Sequence, residues 1–386
     1  MTPTSLAIPL TGVAFPRSEY ERRQRKVIEL VESAELDALL VTAHGHLEYL
    51  TGYDANGAYF RPFPLILMPG REPTYVVREF DEPAVRALSC IDEIVTYFDR
   101  YDFAPVCADV LRQFGLQNKR VGLELDCWNL APADVSALQA QLPDMKIADA
   151  TRLVPSVSIV KSDLELALMR DAMKMTDLAV RTFHSRLQEG ATEIDVTLAI
   201  QSEVRKAGGD GVMVDTLVFG ERTRLPHGRP ARHAIGNNEP AMIEVGGIKR
   251  GYISGILRSA VLGRHDEAES LHALAVEALE ASIDVMKPGV AAEAVHAASR
   301  KVIDQTGRPT LLRSRTGYQT GVPWGERGNM SLERGSKDIL DIGMTFHMPT
   351  VLFGESGYVI GVSEHVLITE GGAEILSGTP YTLYHA

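Results

Sequence analysis

The chain has 386 residues, with 39 Lys and Arg against 51 Asp and Glu and a formal net charge of −12. That length exceeds one ordinary hydrophobic core and predicts two domains. The acidic balance excludes an extended nucleic-acid or anionic-membrane surface, either of which needs clustered cations.

A 45% hydrophobic, 23% charged composition is that of a soluble globular protein. Cys90, Cys107 and Cys127 lack metal-ligand spacing and read as reduced thiols of a cytoplasmic protein. The N-terminal stretch is broken by prolines and has no basic n-region, so no signal peptide is expected. No run approaches the ~20 apolar residues of a membrane span.

In chain order, the segment from Ser18 predicts a helix, with Tyr20, Val27, Leu30 and Val31 at helical spacing. A buried strand follows from Asp37, then a short helical turn ending at Gly52. Strands at 64–68, 74–78, 92–98, 120–125 and 146–149 alternate with helices at 81–88, 104–115 and 131–142, an α/β pattern. The segment 151–159 reads as a bridge, which divides the chain into domains 1–155 and 156–386. His44, His46, His233 and His265 are expected at exposed or core-edge places.

The second domain opens on a capping box, Ser162 with Glu165, so a long helix is expected from there to about Leu187. An internal echo follows. Gly190 and Gly208 flank one helix as Gly289 and Gly307 flank another, and Val196 and Ala199 correspond to Val295 and Ala298. Two related α/β halves facing each other across a cleft are the expected product.

The densest polar chemistry lies between Leu225 and Gly263. Ala241–Gly246 patterns as a buried strand but holds Glu244 where an apolar residue is expected. Gly246-Gly247 reads as a turn, and Tyr252–Leu262 as the returning strand of a hairpin. His227 sits just upstream between Pro226 and Gly228. A carboxylate within a strand beside a loop imidazole is an active-site pattern. Taken singly, Glu244 also reads as a solvent-facing strand residue and His227 as a surface residue; Arg258 in the returning strand adds weight to the functional reading.

Three strings carry a resemblance: IVKSDLELALMRDAMKMTDLA, GGIKRGYISGILRS, and GMTFHMPTVLF with VSEHVLITEGGAEIL. Together they resemble the prolidase, methionine aminopeptidase and creatinase family, over nearly the whole chain. The fold this implies is a creatinase-type N-terminal α/β domain followed by a pita-bread catalytic domain of two related halves. PWGERGNMSL and GMTFHMP are similar to the ectoine hydrolase branch.

The resemblance is most informative where it breaks. Metal-binding members use two Asp, a His and two Glu. Here the first Asp slot holds Glu244, and the second, 11 residues later, holds Gly255. The His slot falls near Tyr318, the first Glu slot at Met348 or Pro349, and the last at Ser363 with Glu364 beside it. One carboxylate from five ligands does not hold a pair of divalent ions, so no metal or other cofactor is expected.

Creatinase and ectoine hydrolase, the family's members without metal, cleave a C–N bond in a small zwitterion, and such a substrate is implied here. By the same resemblance His227 shuttles a proton and Glu244 pairs with an amidinium, activating water or attacking carbon. The resemblance further implies that Arg61 reaches the substrate carboxylate of a neighbouring subunit, and with it that the active unit is a homodimer. Glu364 is a further catalytic candidate, with a structural pair to Arg258 as its alternative. Tyr252, Arg258, Tyr318, Trp324, Glu326 and His347 are candidates for lining the pocket. Leu257 stands where creatinase has a glutamate, which disfavours creatine itself. The expected activity is that of an ectoine-type amidine hydrolase. Its rivals are another amidinohydrolase, an Xaa-Pro peptidase-like metallohydrolase, and a catalytically silent binder of an amino-acid-like ligand.

Overall fold

The computed structural model describes residues 13–386 apart from 56, 57, 59, 60, 99–102, 323, 326 and 327. The described residues form two compact units. One runs to Ser158 and takes in Gly328 and Asn329; the other covers 159–325 and 330–386.

In the first unit the elements are α1 (Arg17–Ser33), β1 (Ala38–Val41), α2 (His44–Thr51), β2 (Leu65–Leu67), β3 (Thr74–Arg78), α3 (Glu82–Leu88), β4 (Glu93–Tyr97), α4 (Ala104–Gln113), β5 (Arg120–Leu123), α5 (Pro132–Gln141), β6 (Lys146–Asp149) and α6 (Leu153–Ser158). The strands make one mixed sheet in the order β4-β3-β2-β1-β5-β6. Helix α1 turns Tyr20, Val27 and Val31 inward, as its spacing predicts. Helix α2 ends at Gly52, whose φ of 86° is the left-handed cap that glycine adopts without strain.

Two expectations change in this unit. The segment 151–159, read from sequence as a bridge with no assigned structure, is mostly helix α6. Pro155 falls in its first turn, where a missing N–H breaks no helical bond. His46 is buried rather than at an edge, its Nδ1 against Glu124, whose other oxygen accepts the backbone N–H groups of Thr42 and Ala43 at 2.6 and 2.8 Å.

The second unit comprises α7 (Asp163–Arg186), α8 (Glu193–Lys206), β7 (Gly211–Phe219), β8 (Glu239–Lys249), β9 (Tyr252–Leu262), α9 (Asp266–Asp284), α10 (Ala292–Gln305), β10 (Gly317–Gln319), β11 (Ser331–Leu332), β12 (Thr345–Phe353), β13 (Val359–Thr369), β14 (Gly372–Ile375) and β15 (Tyr384–His385). Ser162 accepts the Glu165 N–H while the Glu165 carboxylate accepts that of Ser162, so the capping box starts α7. The strands form two sheets, β15-β9-β8-β7 and β11-β10-β12-β13-β14.

The internal echo is a real repeat of burial. Val196, Ile200 and Val204 of α8 are buried, and so are Val295, Ser299 and Ile303 at the same offsets in α10. The first set packs under β7–β9 and the second under β12–β13, each with its own apolar core. The four flanking glycines all have positive φ, between 70° and 85°. The halves join where β9 meets β13: Leu257 N–H donates to Ser363 Oγ at 2.6 Å and Ser259 Oγ donates to the Gly361 carbonyl at 2.7 Å.

The hairpin turn is elsewhere than expected. Gly246 and Gly247 lie inside β8, paired with Gly255 and Ser254, and the chain reverses at Arg250-Gly251. Both of those residues have positive φ, 50° and 81°, as a two-residue hairpin loop requires. The two strand glycines serve close approach instead. A Cβ at Gly247 would strike the Ala172 carbonyl of α7, and one at Gly246 would lie 2.5 Å from Trp324 Cζ3.

Candidate active site

Strand alternation decides which polar residues meet. On β8, Ala241, Ile243 and Val245 face the helices and belong to the α7–α8 core. Met242 and Glu244 therefore face the other way, where Met242 packs with Leu257, Val218 and Val359. Glu244, paired in register with Leu257, is 8% exposed. No hydrogen bond to its carboxylate forms among the described residues, and its nearest ion-pair partner is His347 Nδ1 at 3.9 Å. Burial, with a smaller contribution from the Asp215 charge, pushes its pKa up to about 7.

Asp215 and His227 complete a trio. The register of β7 against β8 slips between Val214 and Thr216, and this bulge presents Asp215. His227 follows the short 3-10 turn Gly220–Arg224, with a φ of 57° that non-glycine residues rarely adopt. One ligand-type atom from each of Asp215, His227 and Glu244 lies within 4.8 Å of the others, with Asp215 and His227 exposed and Glu244 buried. His227 and Glu244 were legible in the sequence; Asp215 was missed. The signal available was a carboxylate inside the apolar run VMVDTLVF, the same anomaly that marks Glu244.

A second group comes from the other half. Trp324 Nε1–H donates to the Tyr318 hydroxyl at 2.8 Å, which lies 2.9 Å from His347 Nδ1. His347 Nε2 lies 2.7 Å from Ser363 Oγ. The His347 ring stands edge-on to both Tyr318 and Trp324, at centroid distances of 5.4 and 4.9 Å. Complete burial drives the His347 pKa well below its usual value, so the ring is neutral. His365 is buried beside this group. It accepts the Gly255 N–H on Nδ1 at 3.2 Å, which leaves Nε2–H to donate to Thr320 Oγ1 at 2.8 Å.

The structure sets three expected site residues on the opposite, helix-covered faces. Glu364 does not join Glu244: it accepts from Arg258 Nη2 at 2.6 Å and from Ser377 Oγ at 2.7 Å. Arg258 also donates to the carbonyls of Ser363, Thr379 and Pro380, all bonds of a packed interior. Tyr252 donates its hydroxyl to Glu165 of α7 at 2.9 Å. The reason is phase. Residues 363 and 365 of β13 share one face and 364 the other; on β9, Tyr252 and Arg258 share the face of Ile256 and Ala260, which lie in the helix-side core. Arg61 is an exposed residue of the first unit. Glu326 lies outside the described residues.

The residues in the expected metal slots do not fit a two-metal cluster. A carboxylate at Gly255 would need a Cβ where the Trp324 ring already is. Ser363 Oγ is taken up by Leu257 N–H and His347. The Asp215–His227–Glu244 trio is a different matter, since three ligand atoms at that spacing fit one cation.

Residues 167–370 match the model of metallopeptidase family M24, and residues 23–160 match the creatinase/prolidase N-terminal domain. The chain belongs to metallopeptidase family M24. This M24 chain is 30% identical to an uncharacterized hydrolase/peptidase, y4tL, of Sinorhizobium fredii, over 96% of this chain and 97% of that one. It is 28% identical to the ectoine hydrolase of Halomonas elongata, over 97% and 98%. Among solved structures it is similar to the dipeptidase PepE from Mycobacterium ulcerans, with a TM-score of 0.86, 22% identity, and coverage of 96% and 99%. The fold is thus the M24 pita-bread fold behind a creatinase-type domain. No helix among the described residues is long and apolar enough to cross a membrane.

Proposed function

We propose that this M24 protein hydrolyses a non-peptide C–N bond in a small amidine carrying a carboxylate, opening an ectoine-type ring without a metal ion. One observation carries the reading: the Trp324 ring fills the space beside Gly255 where a second metal-binding carboxylate would sit, and Glu244 is buried with no hydrogen bond to its carboxylate among the described residues. An amidinium is already positive at its reacting carbon, so it needs less electrophilic help than a peptide carbonyl. Glu244 and Asp215 supply two carboxylates for its charge, and an aromatic ring beside them suits a delocalised cation.

The steps balance with these groups. Water adds to the amidinium carbon as Glu244, titrating near neutrality, takes its proton. As the ring C–N bond breaks, the carbinol hydroxyl proton passes through His227 to the departing nitrogen, and the carbinol carbon becomes an amide carbonyl. The proton held by Glu244 then passes to the freed amine, which restores the carboxylate. Arg61 of the partner subunit is proposed to hold the substrate carboxylate, in a cytoplasmic homodimer. Cys90, Cys107 and Cys127 form no disulfide, which is compatible with that compartment. Substitution of Arg61 by alanine then raises KM more than it lowers kcat.

A second reading follows from the trio itself: one divalent ion at Asp215, His227 and Glu244 would make a metallohydrolase. Loss of ectoine, hydroxyectoine and creatine, followed before and after exhaustive chelation, tests both. Turnover of ectoine by chelated protein with less than one equivalent of metal by elemental analysis is the expected result. Activity that disappears on chelation and returns with a divalent ion overturns it in favour of the second reading. Tight binding of these compounds without turnover removes catalysis altogether.

A further inference from the structure

The chain from Trp324 through Tyr318 and His347 to Ser363 has a direction that its hydrogens fix. Ser363 Oγ accepts the Leu257 N–H at 2.6 Å, and Ser363 is fully buried. Tyr318 accepts the Trp324 indole N–H at 2.8 Å. Between these ends His347, neutral, holds one proton on one of two nitrogens.

Suppose the proton is on Nε2. It then donates to Ser363 Oγ, which already accepts from Leu257, and the hydroxyl proton of Ser363 has no acceptor within hydrogen-bond distance among the described residues. A buried donor is stranded. Suppose instead it is on Nδ1. Ser363 then donates to Nε2, Nδ1–H donates to the Tyr318 oxygen, and every buried donor in the chain is satisfied. One proton is left over, that of the Tyr318 hydroxyl, whose oxygen now accepts from both Trp324 and His347. Tyr318 is only partly buried, and the Glu244 charge acts on it strongly enough to help raise its pKa. No hydrogen bond joins its hydroxyl to Glu244, so the leftover proton has no acceptor among the described residues and is available to a bound ligand.

We infer that Ser363 and His347 hold the Tyr318 hydroxyl as a hydrogen-bond donor to bound substrate, aimed at the oxygen that enters the substrate carbon. The inference rests on the proposed hydrolysis. It adds a catalytic residue, Tyr318, and two positioning residues, Ser363 and His347. In the reaction, water loses its proton to Glu244 and its oxygen becomes first a carbinol and then the amide carbonyl. Tyr318 donates a hydrogen bond to that oxygen throughout and transfers no proton. It therefore stabilises the oxygen at the point where a metal ion would otherwise act.

The test begins without substrate. In protein labelled with nitrogen-15 at histidine, the His347 ring signals are assigned by their absence from a His347→Gln variant. Wild type is expected to show Nδ1 protonated and Nε2 bare, unchanged between about pH 6 and 9. An Nε2-protonated ring overturns the inference. Ser363→Ala removes the donor to Nε2 but leaves the Nδ1–H bonded to Tyr318, so the ring should stay protonated on Nδ1 while the Nε2 signal moves as its hydrogen bond is lost; an Nε2 signal that does not move also overturns it.

With ectoine, Tyr318→Phe should lower kcat by about 100-fold with KM within about threefold, the pattern of a donor felt in the transition state. Ser363→Ala should lower kcat by a smaller factor, and add no further loss in the Tyr318→Phe background. Full kcat in correctly folded Tyr318→Phe sinks the catalytic role whatever the tautomer. If wild type turns over no amidine, the proposed function falls. The catalytic role of Tyr318 falls with it, and the ring-nitrogen result, read on the free protein, still decides whether Ser363 and His347 orient the Tyr318 hydroxyl as a donor.

Discussion

Glu244 and Glu364 are both buried strand carboxylates, on neighbouring strand systems of the same unit, and their surroundings are opposites. Glu364 meets a guanidinium at 2.6 Å and a serine hydroxyl at 2.7 Å, on the face covered by helices. Glu244 lies on the face away from the helices, with His347 Nδ1 3.9 Å away and no hydrogen bond among the described residues. Proteins bury a carboxylate readily when it is paired and at a penalty when it is not. An unpaired one is therefore held in place by the rest of the fold, and that is where chemistry is expected. The contrast separates the acid that builds the site's frame from the acid that works in it.

The sharpest way to break this contrast is to neutralise each acid in turn. Glu244→Gln should lower kcat by about a thousandfold or more, the range of a lost general base, while the protein becomes no less stable at pH 8. Glu364→Gln should do the reverse. Leaving Arg258 buried beside a neutral amide costs about 3–5 kcal/mol of stability, read as a lower urea midpoint, while kcat per folded molecule stays within about threefold. If Glu364→Gln abolished turnover at full stability, the assignment of the two roles would be inverted.

The pH dependence sharpens the same point. With a pKa raised to about 7, Glu244 works as a base only above that value, so kcat/KM should fall about tenfold per pH unit below it. The stability consequence has the opposite sense. Between the ordinary value of 4.5 and about 7 the folded protein keeps a proton that the unfolded chain has released. Folding stability thus decreases as pH rises through that window, by about 3 kcal/mol in all, and levels off above it. Glu244→Gln should flatten that slope, measured as the difference between wild type and variant in urea midpoints at pH 5 and 8. Identical slopes would show that Glu244 titrates normally.

Much of this arrangement was legible before any coordinates, and the misplacements have physical causes. Glu244 announces itself because a carboxylate interrupts an apolar strand, and His227 because a rigid, small-flanked loop carries it. Glu364 could not be phased the same way. The run Ser363-Glu364-His365 is polar throughout and nearly every residue of β13 is buried, so no alternation of polar and apolar residues marks its two faces. The same applies to Tyr252 and Arg258 in β9, which is buried along almost its whole length. Gly246-Gly247 read as a turn because glycine pairs usually are one; the approach of α7 and Trp324 that requires them joins residues far apart in the chain. The Trp324–Tyr318–His347–Ser363 chain is distributed over four separate segments, and only the fold gives it a direction.

Asp215 offers the smallest and most discriminating change. It is exposed at the bulge of β7, so solvent screens much of its field. Its charge is nevertheless the second cause, after burial, of the raised pKa of Glu244. Asp215→Asn keeps the shape and removes that charge. The acid limb of kcat/KM should therefore move to lower pH, by less than burial alone contributes, and the plateau should fall if Asp215 also binds the amidinium. A limb that stays in place while KM rises would make Asp215 a binding group with no electrostatic hold on Glu244. A variant with neither change would reduce the working carboxylates to Glu244 alone, and the pairing of two acids around one cation would have to be abandoned.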